Sequence, residues 1–135
     1  MKKDIIIPVV ENVFVAAVQE WSDDFMDKVW FAHLVNDSDF QLENVIIVSK
    51  AHGVIDGEER KTSVLRHSIP ELPSVSVAKI EMIEESLLAL NNEFMVSFFI
   101  GNTLYDKKFV FEANTIQAEN TEEVPILWKE GVIVR

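Results

Sequence analysis

The chain has 135 residues, 48% of them hydrophobic, with 23 acidic and 12 basic side chains and a formal net charge of −11 at pH 7. This length is typical of one domain, so we predict a single domain over residues 1–135. The acidic balance disfavours binding to a nucleic-acid backbone. There is no cysteine, which excludes a disulfide framework and thiolate metal sites.

The N-terminal segment lacks the pattern of a secretion signal. Two lysines precede a run of apolar residues, but Asp4, Pro8 and Glu11 interrupt it, so the continuous apolar region of a signal peptide is missing. Residues 5–8 instead predict a short extended lead-in. No stretch approaches the roughly 20 apolar residues of a membrane helix. We therefore expect a cytoplasmic protein that does not contact a membrane.

Strand patterns dominate the first third of the chain. Within residues 12–19, apolar residues occupy both sets of alternate positions, so both faces of a strand there would be apolar. This predicts a strand that is covered on two sides. A helix is the alternative, but the β-branched residues and the short length favour a strand. Residues 29–35 and 42–49 predict two more strands around a polar turn at residues 36–39. We predict that this pair of strands forms the centre of the domain.

Turn signals divide the middle of the chain. Asp56-Gly57 predicts a hairpin, because glycine takes the positive φ that a type I′ turn requires. Residues 61–68 would be the returning strand, and we expect Pro70 and Pro73 to stop it. Residues 75–83 predict the next strand.

The last third contains the one helix-like segment, at residues 84–90, which has carboxylates at its start where the helix dipole favours them. Residues 93–100 and 104–111 predict a second hairpin, and residues 112–123 predict a polar surface loop. Seven to nine short strands separated by turns are typical of an all-β antiparallel sandwich. We predict that fold, with one short helix near residues 84–90.

The order of these segments resembles immunoglobulin-like β-sandwich domains. The resemblance covers residues 29–111 and implies an immunoglobulin-like sandwich. It rests on Trp30, Ala32, Leu34 and Asn36 at alternate positions, on Leu42, Asn44 and Val45, and on Leu72-Pro73.

The blocks KTSVLRH, LNNEF and YDKKFVF are similar to an uncharacterised family of small bacterial proteins, which implies no known activity. Chains of this kind are also associated with the label phenylalanyl-tRNA synthetase. This chain is too short for an aminoacylation domain and has no motif of either synthetase class. That association implies at most a detached accessory module.

The residues with catalytic or metal-binding chemistry are isolated from one another. His33, His52 and His67 lack the paired spacing of metal ligands. No glycine-rich loop resembles a phosphate-binding or dinucleotide-binding motif. We therefore predict no catalytic site, no metal site and no cofactor.

Apolar residues on both faces of the central strand predict an interaction surface. Val29, Phe31 and Val35 point away from the side that carries Trp30, where a half-solvated sheet would have polar residues. Large exposed apolar patches mark interaction sites. We predict that a second copy covers this surface; the alternative is cover by residues 84–90 or 112–123.

Half of the basic residues fall in the middle strands and the second hairpin. They form a candidate basic patch that would bind an anionic partner if these strands are neighbours. The interpretation that we favour is that they are edge charges that prevent aggregation between sheets. The candidate patch consists of Lys50, Arg60, Lys61, Arg66, Lys107 and Lys108.

Together these patterns favour a non-enzymatic interaction module that forms a homodimer or binds a protein partner. The alternative is a small-ligand-binding protein, whose pocket would combine apolar walls with a few polar groups. The predicted lining of that pocket is Trp30, Phe98, Phe109 and Trp128.

Overall fold

A computed structural model describes residues 9–135; the predicted lead-in at residues 5–8 lies outside them. Ten strands and two short 3₁₀ turns make up the regular structure of this part of the chain. The strands are β1 (Val13–Ser22), β2 (Asp27–Asn36), β3 (Leu42–Ile55), β4 (Glu58–Lys61), β5 (Leu65–Leu72), β6 (Ser76–Ile83), β7 (Asn91–Ile100), β8 (Thr103–Phe111), β9 (Glu122–Val124) and β10 (Lys129–Val134); the turns are Glu85–Leu87 and Ala118–Asn120.

The strands form two antiparallel sheets, so the predicted all-β sandwich is confirmed, with ten strands in place of seven to nine. Sheet I has the order β6-β2-β1-β10-β9. Sheet II has the order β4-β3-β7-β8, and β5 also pairs with β3, on the edge opposite β7. No helix within residues 9–135 is long and apolar enough to cross a membrane.

The core lies between the sheets and is rich in aromatic side chains. Trp30 of sheet I belongs to the same buried cluster as Phe94, Phe98 and Phe111 of sheet II. The rings of Phe94 and Phe111 meet edge to face, with centroids 5.9 Å apart. Alternation along β7 places Phe94 and Phe98 inward, and alternation along β8 places Phe111 inward.

The first strand is buried on both faces, as its sequence predicts. Residues 13–18 of β1 are at most 5% exposed. On one edge β1 pairs with β2, and on the other with β10, where Val15 lies opposite Val134. Gly131 allows this close approach, because a Cβ there would lie 2.7 Å from Val124 and 2.9 Å from the Ala17 carbonyl oxygen.

The two strands predicted as a central pair both form, but they lie in different sheets and do not pair with each other. The turn between them carries the chain across the sandwich, and Asn36 fixes it. The fully buried Asn36 amide donates to the carbonyl oxygens of Phe40 (2.8 Å), Leu72 (3.2 Å) and Pro73 (2.9 Å). Its side-chain oxygen accepts from the Ser38 hydroxyl at 2.6 Å.

Local signals predicted the Asp56-Gly57 turn correctly and the end of one strand in part. Asp56 and Gly57 have φ of 52° and 78°, as the predicted type I′ turn requires. Of the two prolines predicted to stop the next strand, Pro70 lies inside β5, whereas Pro73 directly follows its last residue, Leu72. That strand is an edge of sheet II, where a residue without an N–H is tolerated.

The predicted helix at residues 84–90 is reduced to the single 3₁₀ turn Glu85–Leu87. The Asn92 side chain donates to the carbonyl oxygens of Leu87 (2.9 Å) and Leu90 (3.1 Å), and so fixes the path into β7. Residues 112–123 are mostly exposed, as predicted, but Ile116 is buried in the core.

Candidate functional site

One row of paired residues crosses sheet II from edge to edge. Arg66 of β5 lies opposite Val48 of β3. Val48 also pairs with Met95 of β7, and Met95 pairs with Lys108 of β8. Directly opposed residues of an antiparallel pair project to the same face. The neighbours of Met95 along β7 are buried in the core, so this row lies on the outer face of the sheet.

Basic side chains from four strands converge on this outer face. Lys50 and His52 follow Val48 at alternate positions of β3, and Lys61 of β4 lies opposite His52. We call this surface the cationic face; its basic residues are Lys50, His52, Lys61, Arg66 and Lys108, and the acidic residues Glu59, Glu93 and Asp106 share the same side of the sheet.

Glu93 stands at the centre of the cationic face. Its carboxylate oxygens lie 3.6 Å from Lys50 Nζ, 3.3 Å from His52 Nε2 and 3.6 Å from Lys108 Nζ. Burial acts to raise the pKa of Glu93, but the His52 hydrogen bond and the Lys108 and Lys50 charges outweigh it, so the pKa lies below its ordinary value. Glu93 therefore stays ionised and holds Lys50, Lys108 and His52 together.

The basic side chains around Glu93 are accessible to a partner, whereas the Glu93 carboxylate is largely buried. The side chains of Lys50, His52 and Lys108 are 45–53% exposed, whereas that of Glu93 is 14% exposed. Between them lie Val48, which is half-buried, and Met95, which is 40% exposed. The face thus combines exposed positive charge with apolar surface.

Two members of the predicted basic patch lie elsewhere. Arg60 is opposite Gly53, on the other side of the β3–β4 hairpin from His52, and its guanidinium is 3.3 Å from Glu58. Lys107 projects to the core side of β8, with Nζ 5.3 Å from the centroid of the Phe109 ring. The structure therefore groups Lys50, Lys61, Arg66 and Lys108.

The predicted apolar interface lies on the outer face of sheet I and is largely closed. Val35 is fully buried within the chain, and Val29 and Phe31 are half-buried. Lys79 Nζ lies 4.3 Å from the centroid of the Phe31 ring, and the Arg135 guanidinium lies 5.4 Å from that of Phe14. Only Val29 and Phe31 of the predicted three present surface to a partner.

A second ionic cluster occupies this outer face of sheet I. Glu20 lies 2.9 Å from Lys129 Nζ, 3.2 Å from Lys79 Nζ and 3.4 Å from His33 Nε2. Its Oε1 has no well-aligned donor, so charge alone holds this oxygen. Burial acts to raise the pKa of Glu20, but Lys129 and Lys79 outweigh it and the pKa is lowered.

His33 is the buried member of this cluster, at 3% exposure. Its Nδ1 lies 3.1 Å from the Phe31 carbonyl oxygen, which places the neutral ring's proton on Nδ1. Burial lowers the pKa of His33, and the opposing charge of Glu20 only partly offsets that effect. His33 is therefore neutral at pH 7.

The four residues of the predicted ligand pocket do not line one cavity. Phe98 and Phe109 are buried in the core, and Trp128 is 75% exposed. Hollows of about 610 Å³ and 720 Å³ instead flank Trp30, and both also touch Gln19. They open at one end of sheet I.

Large exposed apolar side chains gather at this end of sheet I. Trp21, Phe25 and Met26 belong to the β1–β2 hairpin and are 57%, 59% and 72% exposed. Trp128 precedes Lys129, whose ammonium bonds Glu20, so it lies at the same end. Hydrophobic alternation along the strands does not identify these exposed side chains, although WSDDFMD contains two aromatic residues.

His67, predicted to lie at the surface, joins the two sheets at one edge. His67 Nε2 of sheet II is 2.7 Å from Glu81 Oε1 of sheet I, and the Ser49 hydroxyl donates to the same oxygen at 2.6 Å. Within residues 9–135, no group of three or more His, Asp or Glu side chains is placed to hold a metal ion. The histidines therefore lie in three separate environments.

Comparisons with known proteins add no relative to this description: no family model, curated protein or solved structure matches the chain.

Proposed function

We propose that this protein is a non-enzymatic interaction module whose cationic face binds an acidic segment of a protein partner. The observation that carries the proposal is the grouping of four lysine and arginine side chains on one open face of a chain with net charge −11. Electrostatic complementarity of this kind steers a partner and fixes its register.

The composition of the face favours a protein segment over a nucleic acid. Met95 and Val48 lie between the cations, so a partner gains most if it carries apolar side chains as well as carboxylates. A nucleic-acid backbone carries a charge at every phosphate and presents no apolar side chains, so the net charge of −11 opposes it more strongly than a segment with a few carboxylates. An acidic segment with a few apolar residues satisfies both features.

A small-ligand site at the aromatic end is the second candidate. The two hollows beside Trp30 have the volume typical of ligand pockets, roughly 300–1,000 Å³. Their walls include charged residues, among them Glu20, Asp27 and Lys129. A ligand there would need polar groups as well as an apolar surface.

The immunoglobulin-like classification is part of the proposal and is supported by strand order. With β4 set aside, the first, second and fifth strands (β1, β2, β6) share sheet I, and the third, sixth and seventh (β3, β7, β8) share sheet II. Immunoglobulin domains divide their strands in this way. In this chain β5 joins β3 rather than β6, and β9 and β10 extend sheet I. We also propose a cytoplasmic location.

Charge reversal on the cationic face tests the proposal. The probe is a short glutamate-rich peptide that contains leucine, titrated into isotopically labelled protein and followed by NMR. We expect shifts confined to sheet II, on the residues of its outer face, and their loss in the Lys50→Glu/Lys108→Glu variant.

Arg60→Glu is the matched control, because it removes an exposed cation on the opposite face of the same hairpin. It should leave the peptide shifts unchanged. Shifts that depend equally on Arg60, or that map to sheet I, would contradict the assignment of this face.

A further inference from the structure

We infer that the acidic segment bound by the cationic face is the β1–β2 hairpin of a second copy of this chain. This inference rests on the proposed function and names its partner. It follows from the presence, on one chain, of two exposed regions with opposite charge and matching apolar content. We call the hairpin residues 21–27 the aromatic tip.

The aromatic tip combines carboxylates with exposed apolar side chains. The exposed aspartates Asp23, Asp24 and Asp27 lie among the apolar residues of the same hairpin, Trp21, Phe25 and Met26. The Trp21 indole N–H donates to Asp23 at 2.9 Å, which orients the ring at the surface. Exposed aromatic groups of this size are unusual on a monomer unless they bind something.

The cationic face offers the complementary features. Its lysine and arginine side chains surround half-buried and exposed apolar residues. Glu93 is already paired with Lys50 and Lys108. Docking would place three carboxylates among those cations and would remove the tip's apolar side chains from water. Aromatic side chains and arginine are the residues that dominate such interfaces.

The two regions can be occupied at the same time. The aromatic tip belongs to sheet I, whereas the cationic face is the outer surface of sheet II. One copy can therefore offer its tip to a second copy while its face receives the tip of a third. Such a heterologous contact gives rings or open chains rather than a two-fold dimer.

Light scattering over a range of protein concentrations tests this inference with two variants. The first, Lys50→Glu/Lys108→Glu, removes the cationic face but keeps the tip. The second, Phe25→Ser/Met26→Ser, changes only exposed side chains of the tip and keeps the face. We expect the wild type to increase in mean mass with concentration, and each variant alone to stay monomeric.

Mixing the two variants gives the decisive result. Only the first variant's tip and the second variant's face are intact, so the mixture should form a one-to-one dimer that dissociates as salt is raised. A mixture that stays monomeric overturns the inference. So does a wild-type dimer that both variants retain, which Phe31→Asp would then assign to sheet I.

Failure here is distinguishable from failure of the proposed function. If the wild type stays monomeric but still binds the glutamate-rich peptide through Lys50 and Lys108, the face binds a different protein and the inference is overturned. If the peptide also fails to bind, the proposed function is overturned with it.

Discussion

Glu20 on sheet I and Glu93 on sheet II have the same kinds of neighbouring side chains, but their histidines lie in opposite settings. Each carboxylate lies within 4 Å of two lysines and one histidine. The histidine beside Glu20 has a side chain only 4% exposed, whereas the one beside Glu93 is 45% exposed.

The lysines do not separate the two clusters, because Lys79 and Lys129 beside Glu20 are 51% and 50% exposed, and Lys50 and Lys108 beside Glu93 are 53% and 49% exposed. The difference lies in the histidine, which is buried on sheet I and about half exposed on sheet II, near the exposed Met95. The buried ring ties the first cluster to the fold, whereas the second cluster presents all of its basic side chains at the surface.

The largest expected effect comes from the core layer that supports both faces. Trp30→Ala should reduce the free energy of unfolding by about 3–5 kcal/mol, the usual cost of truncating a buried aromatic side chain. Trp21→Ala is the control, since Trp21 is mostly exposed, and should change stability by less than about 0.5 kcal/mol. Urea unfolding measures both. Equal losses would contradict the placement of Trp30 in the core.

A lower pH should test the cluster on sheet I through its buried histidine. Because the pKa of His33 is lowered from 6.5, the unfolded chain binds a proton before the folded chain does. Stability should therefore fall as pH drops below about 6.5. Part of that slope should disappear in His33→Gln. The lowered pKa of Glu20 adds a separate loss only below its ordinary value of 4.5.

Urea midpoints of the wild type and of His33→Gln, measured between pH 5 and pH 8, provide this comparison. If His33→Gln keeps the wild-type slope, the assignment of His33 to a buried, neutral setting is wrong.

The smallest effect should come from Glu93→Gln. Loss of one carboxylate from the cationic face should tighten binding of the glutamate-rich peptide by roughly two- to fivefold at low salt, which is the 0.5–1 kcal/mol of one exposed charge pair. Titration calorimetry at two salt concentrations measures it, and the gain should shrink at the higher one. Weaker binding would mean that Glu93 organises the lysines more than it repels the peptide.

The local sequence predicted the strands and turns, but long-range pairing determines which sheet each strand joins. Asp56-Gly57 fixed a hairpin through backbone conformation alone. Residues 29–35 and 42–49 were correctly predicted as strands, but the hydrogen bonds of Asn36 to Leu72 and Pro73, distant in sequence, show that the chain crosses between sheets there. The residues next to Asn36 in sequence do not indicate that its side chain forms these long-range hydrogen bonds.

The candidate site was predictable in composition and not in placement. Alternation along each strand assigns a face, but it does not say which strands are neighbours. Lys107 and Lys108 are adjacent in sequence and project to opposite sides of β8. Val35 was correctly placed away from Trp30, yet it is buried, because cover on the outer face of a sheet depends on distant segments.

The pairing of β1 with β10 has a consequence for how the protein is made. β10 follows the other described strands in sequence, so during synthesis one edge of β1 stays unpaired until residues 129–134 have left the ribosome. Residues 13–18 of β1 are apolar on both faces, and unpaired apolar edges are prone to aggregate. Closing a sheet between sequence-distant strands is also slow, because chain entropy must be lost before their contacts form. A nascent chain stalled just short of β10 should therefore be the form most dependent on chaperones.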